Sequence, residues 1–315
     1  MFKMDLIKNG LTSIINKKFM KILLTGKNGQ VGFELYNSLS ILGEVLVVGT
    51  NDCDLSDTLA IRKLLQNYKP DIIVNAAAYT SVDKAEIEKL NAIAINENAP
   101  RVLAEEAERL GSLLIHFSTD YVFDGTKQGA YMEDDQTSPL STYGSTKLAG
   151  EIAIQKNCKK QLIFRTSWVF GLHGNNFAKK ILQIASKRDT LHVVNDQFGA
   201  PTSARLLANV TANLVQQYIQ KSNGFPFGLY HLTASGKTNW YEYACYLIEK
   251  SRNIEKVINV NPVSIIPISS SEKTTGAKRP VNSILDTNKI QRVFSLSLPS
   301  WQEGLDHILS GIYNE

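Results

Sequence analysis

The chain has 315 residues, 43% of them hydrophobic, enough to bury a large core as one big domain or as a domain with a smaller lobe. Its formal net charge is +4, and most of it sits in residues 1–19, where Lys3, Lys8, Lys17 and Lys18 oppose Asp5. The nearly neutral remainder lacks the basic face that a nucleic-acid partner requires, and the three scattered cysteines (Cys53, Cys158, Cys245) argue for reduced thiols rather than a disulfide framework.

No apolar run approaches the ~18 residues of a spanning helix, and the N-terminus has no sustained apolar stretch of the signal-peptide kind. The expectation is a cytoplasmic protein without a membrane partner. Residues 1–19 read as a loosely ordered extension or an over-long start. The alternative is an amphipathic helix, since Leu6, Ile7, Leu11, Ile14, Ile15 and Phe19 approximate one face despite Gly10.

From Met20 short apolar runs alternate with helical stretches. Residues 21–25, 45–48, 72–74, 113–117 and 162–164 read as strands without polar alternation, so both faces are buried. Residues 59–68 and 99–110 read as amphipathic helices between them. This alternation predicts an α/β, doubly wound parallel sheet. The pattern is clear to about Phe170. Residues 20–170 are therefore assigned to a dinucleotide-binding domain, and residues 171–315 to a smaller substrate lobe interleaved with returns to the sheet.

The first strand runs into GKNGQVG at residues 26–32, which opens a helix. Gly26, Gly29 and Gly32 let the backbone turn tightly, approach a pyrophosphate and pack the helix on the strand. The helix N-terminus then faces the phosphates. GxxGxxG is the spacing of short-chain dehydrogenases/reductases. Lys27 is placed to meet an NADPH 2′-phosphate. After the second strand, Gly49, Thr50 and Asn51 lack the acidic residue that holds an NAD ribose, although Asp52 and Asp54 follow. NADPH and NADH both stay open.

Tyr143 and Lys147 lie four residues apart on one helix face. This suits carbonyl reduction, with Tyr143 as proton donor and Lys147 lowering the phenol pKa and holding the nicotinamide ribose. The spacing recurs at Tyr246 and Lys250, in a stretch that reads as core plus a solvated lysine. Context separates the two. Thr119 closes the strand at 113–117, on the edge where doubly wound sheets bind ligands, and would complete a Thr119–Tyr143–Lys147 catalytic set.

Many blocks in order identify the chain as a member of the dTDP-4-dehydrorhamnose reductase family, within the extended short-chain dehydrogenases. They are GKNGQVG, NAAAYT (75–80) with VDKAE (82–86), STDYVFDG (118–125), RTSWVFG (165–171), NNF (175–177), NDQFGAPT (195–202), YHLTASG (230–236) and RPVNS (279–283). The resemblance implies reduction of dTDP-6-deoxy-L-lyxo-4-hexulose at C4 to dTDP-L-rhamnose with NADPH or NADH. It places Gly26, Lys27, Gly29, Gln30, Val31, Gly32, Asp54, Leu55, Ala76, Ala77, Ala78, Tyr143 and Lys147 at the cofactor. It places Thr80, Val82, Thr119, Tyr121 and Trp168 at the sugar, with Asn176, Gln197 and Arg279 toward the nucleotide end. Trp240 is assigned to packing. Some family members dimerise around magnesium held by glutamates. Glu34 matches one such position but Arg205 occupies another, so no metal is expected; a homodimer stays open.

Two alternatives compete. A nucleotide-sugar dehydratase or epimerase of the same fold would need a second carboxylate after Asp120, where Tyr121 stands instead. A non-catalytic NADP-binding regulatory subunit, like the regulatory β subunit of methionine adenosyltransferase in the same family, would keep the glycine loop without the sugar-facing blocks.

Overall fold

The computed structural model describes residues 20–252, 258–272 and 276–314; the extension 1–19 lies outside the described residues. Six parallel strands form the central sheet: β1 (Met20–Thr25), β2 (Gly43–Val48), β3 (Ile72–Asn75), β4 (Leu113–Thr119), β5 (Gln161–Thr166) and β6 (Gly228–His231), in spatial order 6-5-4-3-1-2. The long, non-alternating apolar runs form these strands because both faces of the sheet are covered. Along β1, Ile22 and Leu24 enter one core and Leu23 enters the other. In β4 all seven residues are buried. Each fully buried Ile or Leu contributes about 1.5–3 kcal/mol relative to exposure.

Helices α1 (Gln30–Leu39), α6 (Ala204–Gln220) and α8 (Asn288–Phe294) cover the first face. Helices α2 (Thr58–Tyr68), α3 (Ala99–Leu110) and α4 (Thr142–Asn157) cover the second. Thus residues beyond 170 contribute both a strand and helices to the sheet body. A separate core joins α5 (Phe177–Ala185), α7 (Trp240–Arg252) and α9 (Trp301–Asn314) around Tyr243, Leu247 and Leu305. A parallel pair, Leu191–Val194 with Ile265–Ile268, lies beside it.

Strand order reverses at β1, which has β2 on one side and β3 on the other. The chain therefore leaves the carboxyl ends of β1 and β3 in opposite directions and opens a crevice between them. Residues 26–32 and 76–80 emerge there.

Candidate active site

The glycine loop shows why its residues are glycines. Gly26 has φ +86°, and a Cβ there would lie 2.8 Å from the Ala76 carbonyl carbon. A Cβ on Gly32 would lie 2.0 Å from the Gly26 carbonyl oxygen. No side chain caps α1, so its first amides remain for an anion. Above the loop lies a cavity of about 480 Å³. Gly26, Lys27, Gly29, Gln30, Val31, Asp54, Leu55, Ala76, Ala77, Ala78, Tyr143 and Lys147 line it. Gly32 sits beneath, in the loop–helix contact. A backbone cradle that any Cβ would fill fits a pyrophosphate. Lys27 Nζ stands 3.7 Å from Asp52 Oδ2, which accepts the Gly49 N–H at 2.9 Å, so the lysine is held beside the turn that follows β2.

Ser141 caps α4 by accepting the Gly144 N–H at 3.2 Å, which fixes Tyr143 in the first turn and Lys147 one turn on. Glu86 accepts from both the Thr142 N–H (2.7 Å) and hydroxyl (2.8 Å), anchoring the same helix end. Asn96, on a π-helical turn (Ala94–Asn98), ties Tyr79 to Thr146. Lys147 is 1% exposed; its Nζ lies 3.0 Å from His116 Nε2 and 2.6 Å from the Phe117 carbonyl oxygen. Farther along α4, Glu151 receives Arg165 of β5 in a buried two-pronged ion pair.

A second cavity of about 840 Å³ is lined by Tyr121, Gln197 and Arg279, with Lys180, His192, Trp240 and Lys278. The Tyr121 and Tyr143 rings meet edge to face, centroids 5.7 Å apart, so the two cavities adjoin at the phenols. Thr119 is buried and lines neither cavity. Its hydroxyl donates to Asp120 Oδ1 at 3.0 Å and accepts the Tyr121 N–H. Lys180, Lys278 and Arg279, the last beside Tyr121 and paired with Asp83 at 2.9 Å, give this cavity a cationic lining that suits a diphosphate.

Several residues expected at the sugar or nucleotide do not line the second cavity. Thr80 lines the first cavity rather than the second. Val82 opens a short helix, Val82–Ala85, and lines neither cavity. Trp168, at φ +49°, stacks at 3.6 Å on Trp240, and it is Trp240 that lines the second cavity. Asn176 caps α5 and donates to Gln30 Oε1 and the Gly171 carbonyl, while its neighbour Asn175 lines the first cavity. The sequence also left out Ile95 and Phe117 of that cavity, and the buried His116 and Asn75 behind it.

The titratable groups are strongly biased by burial. Tyr143 is pushed up to about 12, chiefly by burial; Thr119 opposes the shift and Asp120 adds to it. Burial lowers Lys147 to about 8, with Glu151 opposing. Burial raises Asp120 to about 6 against hydrogen bonds from Ser283 and Thr119, and its Oδ2 has no partner. The direction at Tyr143 is thus set by burial. The phenol sits above its ordinary value, and the Lys147 head group is engaged by His116 and Phe117.

The second Tyr–Lys pair lies on α7. The Tyr246 hydroxyl donates to Asp306 at 2.9 Å, and Lys250 reaches the same carboxylate at 3.3 Å. Arg205 is exposed on α6. Among the described residues no group of three or more His, Cys, Asp or Glu side chains could hold a metal, and no helix is long and apolar enough to cross a membrane.

Residues 20–314 match the family model described as the RmlD substrate binding domain. The dTDP-4-dehydrorhamnose reductase of Escherichia coli (strain K12) is 46% identical over 93% of this chain and 98% of its own length. A crystal structure of a dTDP-4-dehydrorhamnose reductase from Clostridium acetobutylicum superposes with a TM-score of 0.85 at 35% identity, covering 93% of this chain and 99% of that one. The Bacillus anthracis enzyme of that name, solved in complex with NADP, gives 0.84 at 32% identity, covering 93% and 100%. The glycine cradle, the phenol–lysine pair on α4 and these relatives together make the chain a member of the dTDP-4-dehydrorhamnose reductase family.

Proposed function

We propose that this chain reduces the C4 ketone of dTDP-6-deoxy-L-lyxo-4-hexulose to dTDP-L-rhamnose with NADPH or NADH. The observation that carries this reading is the meeting of two cavities at Tyr143: a glycine-floored one on one side and a cation-lined one on the other. Residues 20–170 serve as the dinucleotide-binding domain and residues 171–315 as the substrate lobe, although α6 and β6 of that lobe belong to the sheet body.

When bound, the dinucleotide supplies the hydride. The protein's own work is to position the ketone and supply a proton. Tyr143, protonated throughout the physiological range, donates its phenolic proton to the C4 oxygen. Thr119 provides a second hydroxyl at that oxygen. Tyr121 and Trp240 offer flat apolar faces for a deoxysugar ring, with Trp168 stacked behind Trp240. Gln197 and Arg279, with Lys180 and Lys278, face the nucleotide diphosphate. Lys27 beside Asp52 supports use of either cofactor, since the lysine meets a 2′-phosphate and the aspartate a ribose hydroxyl. We assign the protein to the cytoplasm and leave a homodimer as the assembly to test by sedimentation.

Purified protein given the dTDP-linked 4-keto sugar and NADPH is expected to consume the cofactor, read as falling absorbance at 340 nm. Binding of NADPH without oxidation, with either cofactor and with dTDP- or UDP-linked sugars, would instead support a regulatory subunit.

A further inference from the structure

Behind Lys147 runs a chain of buried polar groups that the reaction scheme does not use. Thr25 ends β1, Asn75 ends β3 and His116 lies in β4; each is at most 1% exposed. The Thr25 hydroxyl donates to Asn75 Oδ1 at 2.6 Å. The Ala77 N–H also points to that oxygen, at 3.3 Å. With Oδ1 accepting both, the amide nitrogen of Asn75 is the atom facing His116 Nδ1, at 3.0 Å. An amide nitrogen only donates, so Nδ1 accepts, and the proton of a neutral ring lies on Nε2. Nε2 faces Lys147 Nζ at 3.0 Å. An ammonium has no lone pair to receive an N–H, whereas an uncharged amine has one.

The geometry points to His116 as a positioning residue that holds Lys147 as the uncharged amine in the ligand-free protein, so that cofactor binding takes up one proton. All links then run in one direction, from Thr25 to Asn75 to His116 to Lys147 to the Phe117 carbonyl oxygen. The reverse order would turn an amide N–H of Asn75 against the Ala77 N–H. This inference rests on the proposed reductase reading for the role of Lys147, but its geometry does not.

The surrounding charges agree. Burial already brings Lys147 down to about 8, and a hydrogen bond to the neutral form moves it further the same way. Glu151, one turn along α4, favours the ammonium, but its carboxylate is engaged by Arg165 of β5. Burial keeps the His116 ring neutral. Asp120 bears on Tyr143. Asn96, packed against α4, is uncharged, and Glu86 is held by Thr142.

The proton balance is simple. The amine takes one proton from solvent as the anionic dinucleotide enters, loses its lone pair and leaves the Nε2–H. The head group is then free for the cavity that Lys147 lines. The ammonium so formed favours the phenolate that Tyr143 becomes after giving up its proton. The chain is a clamp and not a relay, because the Asn75 amide does not pass protons on.

The first test needs no cofactor. Nitrogen-15 NMR of histidine-labelled protein at pH 8.5 should show the His116 ring protonated at Nε2; a ring protonated at Nδ1, or a cationic ring, overturns the inference. The second is calorimetry of NADPH and NADH binding in buffers of different ionisation enthalpy. Uptake of about one proton per chain is expected at pH 8.5, with affinity falling about tenfold per pH unit above that. No uptake, with binding intact, overturns it. In His116→Gln the amide oxygen can turn to Lys147 and stabilise the ammonium, so uptake should fall toward zero. Asn75→Asp, which cannot donate to Nδ1, should do the same. Uptake unchanged in both variants would remove His116 from the account. Failure to reduce the sugar, with tautomer and uptake as expected, would count against the proposed reaction and not against the clamp.

Discussion

The chain contains two Tyr–Lys pairs with the same four-residue spacing, each on one face of a helix, and the fold makes them different objects. Tyr143 stands where two cavities meet, and Lys147 is 1% exposed against His116 and a backbone carbonyl. Tyr246 and Lys250 share the exposed carboxylate of Asp306, with Lys250 42% exposed. At α7 water and a carboxylate satisfy the lysine at little energetic cost. At α4 burial biases both Tyr143 and Lys147, and the sheet edge supplies a place for ligands. Spacing puts a phenol beside an amine; the position of the helix relative to the crevice decides whether the pair has a carbonyl to act on.

Substitutions can break or sharpen that contrast. The largest effect is expected from Tyr143→Phe, which should cut turnover by about two to four orders of magnitude through loss of the general acid, with NADPH affinity retained. Tyr246→Phe should leave turnover within about twofold. Steady-state rates at 340 nm compare them directly.

Next comes Glu151→Gln, which leaves the Arg165 guanidinium buried without its carboxylate. It should destabilise the fold by about 3–5 kcal/mol in urea unfolding. Asp120→Asn should act in the opposite direction. Its carboxyl is raised to about 6 from 3.8, so the native state binds that proton more tightly than the unfolded chain. The stability this confers is full below about pH 4 and is lost as pH rises through about 6. The variant should therefore match the parent at pH 4 and gain up to about 3 kcal/mol at pH 7. A gain that did not grow between these pH values would show that Asp120 is ionised at no cost. Smallest is Lys250→Met, removing an exposed pair for less than about 1 kcal/mol; a larger loss would make α7 more than a solvated face.

Much of the fold was legible because its signals are local. Strands buried on both faces leave uninterrupted apolar runs, and Gly26 and Gly32 mark a turn no other residue can make. The different surroundings of Tyr143 and Tyr246 also carried a local signal, since Thr119 ends β4 beside the first and nothing comparable precedes the second. What escaped depends on contacts between distant residues. His116 reads as one more residue in an apolar strand until β3 brings Asn75 to one side and α4 brings Lys147 to the other. Glu86 grips α4 across more than fifty residues. Asn176 carried a local signal that was passed over, since an Asn just before an amphipathic run is an N-cap. Trp240 lines the second cavity with Trp168 stacked on it, and sequence does not say which ring of a stack lines a cavity.

The account's central claim is that hydride reaches the sugar carbonyl at the α4 pair. Incubating the protein with NADPH deuterated at nicotinamide C4 and the dTDP-linked 4-keto sugar tests it most directly. The account predicts one deuterium at sugar C4 with the parent chain and with Tyr246→Phe, and none above background with Tyr143→Phe over the same time. Full labelling by Tyr143→Phe, or loss of labelling in Tyr246→Phe, would contradict it.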